Sequence, residues 1–375
     1  MKHARPSGVL RREFLTAAGR LAIGLPLAGF ARRAGASEAA ARKTSPPLAG
    51  IWISREELAA LPMRGPVWEN LRDAAAKPCG KPDVSDQDQM NNVLVLAKAL
   101  VFARAGGESL RAEVQAQCLA ALGTERGGRT LALGRELAAY VIAADLVRLE
   151  PAEDARFRAW LRACLDARLQ GQTLRSTHEK RPNNWGTHAG ASRAAVAAYL
   201  DDRAELDRAA QVFRGWVGER AAYAGFDYGR DLSWHADPAR PLGVNPRGAA
   251  RDGHSIDGLI PDDMRRGGGF QFPPKHTGYP WGALEGAVLM AEILHRRGYD
   301  AWNWGDQALL RAVQALHRLH ELYPAAGWWA RGDDMWIPWV VNRACGSAFP
   351  TVTPAQPGKN MAWTDWTHAP LSSAR

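Results

Sequence analysis

Apolar residues recur along this chain at the spacing of a helix. Val93, Ala97, Leu100 and Val101 form one stripe, and Leu137, Val141, Ala144 and Val147 form a second. Phe157, Leu161 and Leu165 follow, then Leu206, Ala210, Phe213 and Val217. Two more runs are Leu284, Val288, Ala291, Leu294 and Leu309, Val313, Leu316, Leu319. Steps of three and four residues put each set on one face of an α-helix. Pro151 suits the first turn of a helix, while Gly106-Gly107, Gly123 and Gly298 stand where helices should stop. No long alternating pattern competes, so the expected class is all-α. Helices of about 12–20 residues with short turns predict stacked helical hairpins. No fixed repeat marks an open solenoid, which favours a closed α/α toroid over residues 37–375.

One stretch breaks the periodicity. From Ala224 to Thr277 the chain is rich in Gly, Pro, Asp, Arg and His. A run of that length inside a compact domain is usually functional, so it is expected to be an irregular active-site loop region. Its aromatics, Phe226, Tyr228, Trp234, Phe270 and Phe272, predict packing rather than a free linker.

The first 36 residues change the reading of the charge. Arg11-Arg12-Glu13-Phe14-Leu15, a short apolar run to Phe30 and Ala34-Gly35-Ala36 read as a twin-arginine export signal. The expected location is the periplasm or the medium, with the twin-arginine translocon as a transient partner. The whole chain carries 48 Lys/Arg and 39 Asp/Glu, a net charge of +9. Residues 1–36 hold seven of the basic and one of the acidic residues, which leaves 41 against 38, or +3. The high isoelectric point therefore belongs to the signal and argues for no nucleic-acid partner. The apolar run is too short and interrupted for stable membrane insertion.

Cys79, Cys118, Cys164 and Cys345 lack metal-type spacing, and Cys118 and Cys164 fall on apolar faces as buried thiols. His317 and His320 have no third ligand nearby, so no metal is expected, and no organic cofactor.

The candidate chemistry lies in two stretches, Asn183-Asn184-Trp185-Gly186-Thr187-His188 and Asp257 through Glu285. They supply an amide, imidazoles, guanidinium groups and a phenol, which suit β-elimination on an acidic sugar. The proton beside a uronate carboxylate is weakly acidic until that carboxylate is neutralised and the developing charge is held. Asn184 and Arg265 or Arg266 can neutralise; His188, His235 and His254 can take the proton; Tyr279 can protonate the leaving oxygen, or do both. Asn183, Trp185, Arg265, Trp234, Lys275 and His276 are candidates for holding the polymer. So are Trp328, Trp329 and Trp336, whose indoles could stack on sugar if exposed. Each also has a plainer role: the asparagines can cap a helix, and the histidines and tryptophans can simply pack.

On these residues the chain resembles the alginate lyase superfamily of polysaccharide lyases, whose fold is an α/α toroid. The family's Asn-Asn pair matches Asn183-Asn184, and its Asp-Gly-x-x-Pro-x-Glu-Leu-x-Arg motif resembles Asp257 to Arg266, with Asp263 and Met264 replacing Glu and Leu. The resemblance implies that Asn184 and Arg266 neutralise the carboxylate and that Tyr279, four residues before Ala283-Leu284, is the catalytic tyrosine. Trp185 stands where family 5 enzymes carry a histidine, and the gap from Arg266 to Tyr279 is longer. Both departures make the chain more similar to family 38, lyases of glucuronan and alginate, where a later histidine serves. That implies His235 first, then His254, then His188. The expectation is a lyase of acidic polysaccharide. The alternatives are a hydrolase using a pair among Asp252, Asp257, Asp262 and Asp263, or a non-catalytic polyuronate-binding protein.

Overall fold

Every predicted apolar stripe lies on a helix. The computed structural model describes residues 50–370, so the export signal lies outside the described residues. The helices are α1 (Arg55–Ala60), α2 (Pro66–Ala76), α3 (Asn91–Ala105), α4 (Glu108–Ala120) and α5 (Thr130–Val147). Next come α6 (Pro151–Asp166), α7 (Leu174–Lys180), α8 (Asn184–Leu200) and α9 (Arg203–Trp216). After the irregular region follow α10 (Pro261–Met264), α11 (Tyr279–Arg296), α12 (Trp304–Leu322), α13 (Ile337–Cys345) and α14 (Thr364–Thr367). The strands among the described residues are β1 (Ala250–Arg251) and β2 (His254–Ser255), an antiparallel pair. The protein is all-α.

Sequence chemistry sets the helix ends. Pro151 opens α6, and Gly106 ends α3 at φ 79°. Ser54 and Thr173 form capping boxes on α1 and α7, satisfying amides that the first turn leaves open.

The helices sort into two layers. α3, α5, α8 and α11 are buried on most of their faces, whereas α4, α9 and α12 bury one stripe and expose the other. α3 packs on α5, α5 on α8 and α8 on α11. These contacts are close because glycine permits them. A Cβ on Gly134 of α5 would stand 2.9 Å from the Ala189 nitrogen, and one on Gly286 of α11 only 2.3 Å from the Thr187 carbonyl carbon. The series then continues from α11 to α13, α13 to α14, α14 to α2, and α2 back to α3. Trp366 packs against Trp68, ring centroids 5.2 Å apart, and donates to the Pro62 carbonyl at 3.0 Å, which holds the C-terminal segment to the N-terminal helices.

The four inner helices run the same way. The C-terminal ends of α5 and α8, with Arg297 just after α11, line one cavity of about 270 Å³. The end of α3 shares a neighbouring cavity of about 550 Å³ with Asp145 and Arg148. Their N-termini therefore gather at the opposite end, where the partial positive charges of helix dipoles add. Asn184 and Tyr279 are the first residues of α8 and α11 at that end.

The tryptophan-rich C-terminal part is mostly core. Trp302, Trp304, Trp328, Trp336 and Trp366 are buried. Cys118 and Cys164 are buried and free; Cys79 and Cys345 are half-buried and free. Among the described residues no helix is long and apolar enough to cross a membrane, and no group of three or more His, Cys, Asp or Glu could hold a metal ion.

Candidate active site

The Asn-Asn pair has two separate jobs. Asn183 caps α8, its Oδ1 accepting from the Trp185 amide at 3.2 Å. Asn184, the next residue, donates its backbone N–H to Asp263 Oδ1 at 3.2 Å. Its side-chain Oδ1 is buried without a protein partner, so the amide is positioned through the backbone. Asp263 is fully buried on α10, and burial, then the adjacent Asp262, push its carboxyl well above the usual range. This carboxyl stitches the start of α8 to the turn that bears the arginines.

That turn separates Arg265 from Arg266. Arg265 is tied to the buried Asp262, Nε to Oδ1 at 2.8 Å. Arg266 is exposed, and its Nη2 donates to the Tyr279 phenol oxygen at 3.0 Å. The same guanidinium carbon lies 4.1 Å from the centroid of the Tyr279 ring. Tyr279 is 38% exposed, enough to meet a polymer from solvent. One turn further, a Cβ on Gly282 would stand 3.8 Å from the Asn184 Cβ, so Asn184 lies against the first turn of α11. Asn184 is thus brought from a distant part of the chain to the segment that carries Arg266 and Tyr279, which stand 13 residues apart.

The histidines are placed differently. His188 lies one turn into α8 and is 1% exposed, with Nε2 at 3.2 Å from Glu285 Oε2. Burial and the Arg135 charge lower its pKa against the opposing pull of Glu285. As a partner of Glu285 it offers no open edge to a sugar. His235, the first choice for the base, is also 1% exposed, edge-on to Tyr228 at 5.1 Å. Burial takes its pKa down to about 4, with Asp262 opposing. It is the neutral form that a base requires, but it is enclosed. His254 is exposed on β2 and stacks on Phe272 at 4.2 Å; Phe272 in turn packs on Trp234.

Three candidate indoles give way to packing. Trp234, Trp328 and Trp336 are each at most 2% exposed, so none presents a face for stacking on sugar. Trp234 donates to the Gly268 carbonyl at 2.9 Å and steadies the Arg266 turn; Trp336 packs on Trp52. Trp329 is half-buried between Trp281 and His317. Trp185 is half-buried beside Asn184. Lys275 is exposed, and its carbonyl lies against Gly267 behind the arginine turn. His276 meets Trp328 edge-on at 5.0 Å and faces Arg331 at 3.4 Å, and burial, then Arg331, lower its pKa.

Sequence reasoning missed the floor of the site. A cleft of about 490 Å³ opens beside the first turns of α11, lined by Arg135, Gly282, Glu285, Arg331, Asp333 and Asp334. Arg135 Nη2 pairs with Glu285 Oε2 at 3.0 Å, so α5, α8 and α11 are joined by an Arg135–Glu285–His188 chain. Burial alone would raise the Glu285 carboxyl, yet His188 and Arg135 hold it below its usual value. Burial, then Glu285, push Asp333 upward and Asp334 well upward. A signal existed: Arg135-Glu136 and Glu285 are charges inside otherwise apolar helical runs.

Comparison with known families bears on α5 through α9. Residues 123–226 match the family model for alginate lyase. Over that segment the chain is similar to the alginate lyase family. It contains Asn183 and Asn184, which supports a polysaccharide lyase acting on an acidic polysaccharide. Arg266 and Tyr279 lie beyond it, and they rest on the geometry above. No curated protein matches the chain.

Proposed function

We propose that this chain is an exported α/α-toroid lyase that cleaves 1,4-linked polyuronate, glucuronan or polymannuronate, by β-elimination. The observation that carries the reading is the Arg266–Tyr279 contact at 3.0 Å beside Asn184. The inner helices, parallel and packed in a series that returns to its start, support the toroid.

In this mechanism the uronate carboxylate sits between Asn184 and the free edge of Arg266, at the gathered N-termini of α8 and α11. Neutralising it raises the acidity of C5. The C5 proton leaves to a base, its electron pair forms the C4–C5 double bond, and the C4–O4 bond breaks. The departing oxygen takes a proton, and the product carries a 4,5-unsaturated uronate end. With His188 and His235 buried and His254 stacked on Phe272, Tyr279 serves as both base and acid, taking the C5 proton as the phenolate and returning it to O4 as the phenol. That dual role suits glucuronan and polymannuronate, in which proton and leaving oxygen share one face of the ring.

The hydrolase alternative is less supported. It needs two carboxylates facing a sugar, and of the aspartates proposed for it Asp262 and Asp263 are buried and Asp257 is held by Arg311 at 2.6 Å. The test is a screen of polymannuronate, polyguluronate, glucuronan, hyaluronan and heparosan for ultraviolet absorbance of a conjugated double bond. Chain shortening without that absorbance would mean hydrolysis; binding without shortening would mean a carrier.

A further inference from the structure

Immediately beside Asn184, two arginines converge on one indole. Trp185, in the first turn of α8, is half-buried. The guanidinium carbon of Arg181, at the end of α7, lies 5.2 Å from its ring centroid, and that of Arg129, at the start of α5, lies 5.9 Å away. Both arginines are exposed. Arg129 is steadied by one hydrogen bond, Nη2 to Gln87 Oε1 at 3.1 Å. Among the described residues neither forms an ion pair with a carboxylate. Asp88, an acid whose charge Arg129 influences, is already taken by Lys359 at 3.0 Å.

We propose that Arg129, Trp185 and Arg181 form a second carboxylate subsite, which binds the uronate next to the one held by Asn184 and Arg266. The inference rests on the lyase reading and adds to it a requirement for consecutive acidic sugars. An indole that attracts two cations holds both guanidinium groups in place and leaves most of their N–H groups open. Two guanidinium groups on one indole, neither paired with a carboxylate among the described residues, attract an anion. A guanidinium fork matches a carboxylate better than it matches a hydroxyl. The ring itself is occupied by the arginines, so Trp185 acts by orienting them.

The test measures binding apart from turnover. In the Tyr279→Phe background, titration calorimetry with tetramers of mannuronate or glucuronate should show tight binding, and Arg129→Gln with Arg181→Gln should weaken it at least tenfold. In the active enzyme the same pair should raise KM at least tenfold, leave kcat within about threefold, and flatten the salt dependence of KM. Trp185→Leu should weaken binding although both charges remain, and Arg181→Lys should recover only part of the loss. Unchanged affinity and KM in the double glutamine variant overturn the subsite and leave the lyase reading standing. A parent that neither binds nor cleaves any uronate overturns both.

Discussion

The guanidinium of Arg266 donates to the phenol oxygen of Tyr279 at 3.0 Å, and its carbon lies 4.1 Å from the centroid of the same ring. The two side chains are therefore held together by two contacts. Arg266→Ala should remove both a carboxylate donor and the group that orients the phenol, and kcat should fall about 10²–10³-fold. Arg265→Ala should cost far less turnover, because Arg265 is committed to Asp262. Kinetics of the two alanine variants check this; the reverse order would move the neutralising role one residue back.

Asp263 predicts an unusual pH response. Its carboxyl is raised by burial, so the native state holds that proton more tightly than the unfolded chain does. Its contribution is present below the unfolded carboxylate range and is lost as pH rises toward the folded pKa. Asp263→Asn keeps an acceptor for the Asn184 N–H without the ionisation, so it should melt higher than the parent at pH 8 and differ little near pH 4. Asp263→Ala leaves a buried N–H unsatisfied and should cost about 1–3 kcal/mol. Thermal melts across that pH range decide between these outcomes.

The contact of α8 with α11 is set by Gly286. Gly286→Ala puts a methyl 2.3 Å from the Thr187 carbonyl carbon, so the helices must separate. Overpacking of this kind costs about 1–3 kcal/mol. Because Asn184 and Tyr279 open these two helices, kcat should fall as well. A variant with parental denaturant midpoint and turnover would contradict the packing described for this pair.

Export is tested separately. Arg11→Lys with Arg12→Lys should leave the precursor in the cytoplasm, as judged by fractionation. Normal periplasmic recovery would remove the twin-arginine assignment and leave the site untouched.

Much of the helical scaffold was legible because α3, α5, α6, α9, α11 and α12 carry apolar residues at helical spacing, and because Pro151 and Gly106 mark helix ends; α8, buried on nearly every side, carries no such stripe. A cap at the Asn183-Asn184 pair could also be read from spacing, whereas the choice of Arg266 over Arg265 came from the family resemblance. Three things could not. Burial of Trp328 and Trp336 depends on neighbours far away in sequence, Trp281 for one and Trp52 for the other. The enclosure of His235 depends on how the long loop folds against Tyr228, and that loop has no periodicity to read. The Arg135–Glu285–His188 chain joins residues 150 apart; its sign in the sequence was only a charge within an apolar run.

The central claim is that Tyr279 moves the protons, and Tyr279→Phe tests it most directly. The change removes one oxygen and keeps the ring beneath Arg266, so folding and substrate affinity should change by a few-fold at most. Steady-state formation of unsaturated ends, measured on whichever polyuronate the parent cleaves, should fall by about 10²–10⁴. His235→Ala and His188→Ala, assayed beside it, should retain more activity than Tyr279→Phe. Turnover of Tyr279→Phe within a few-fold of the parent would contradict the account.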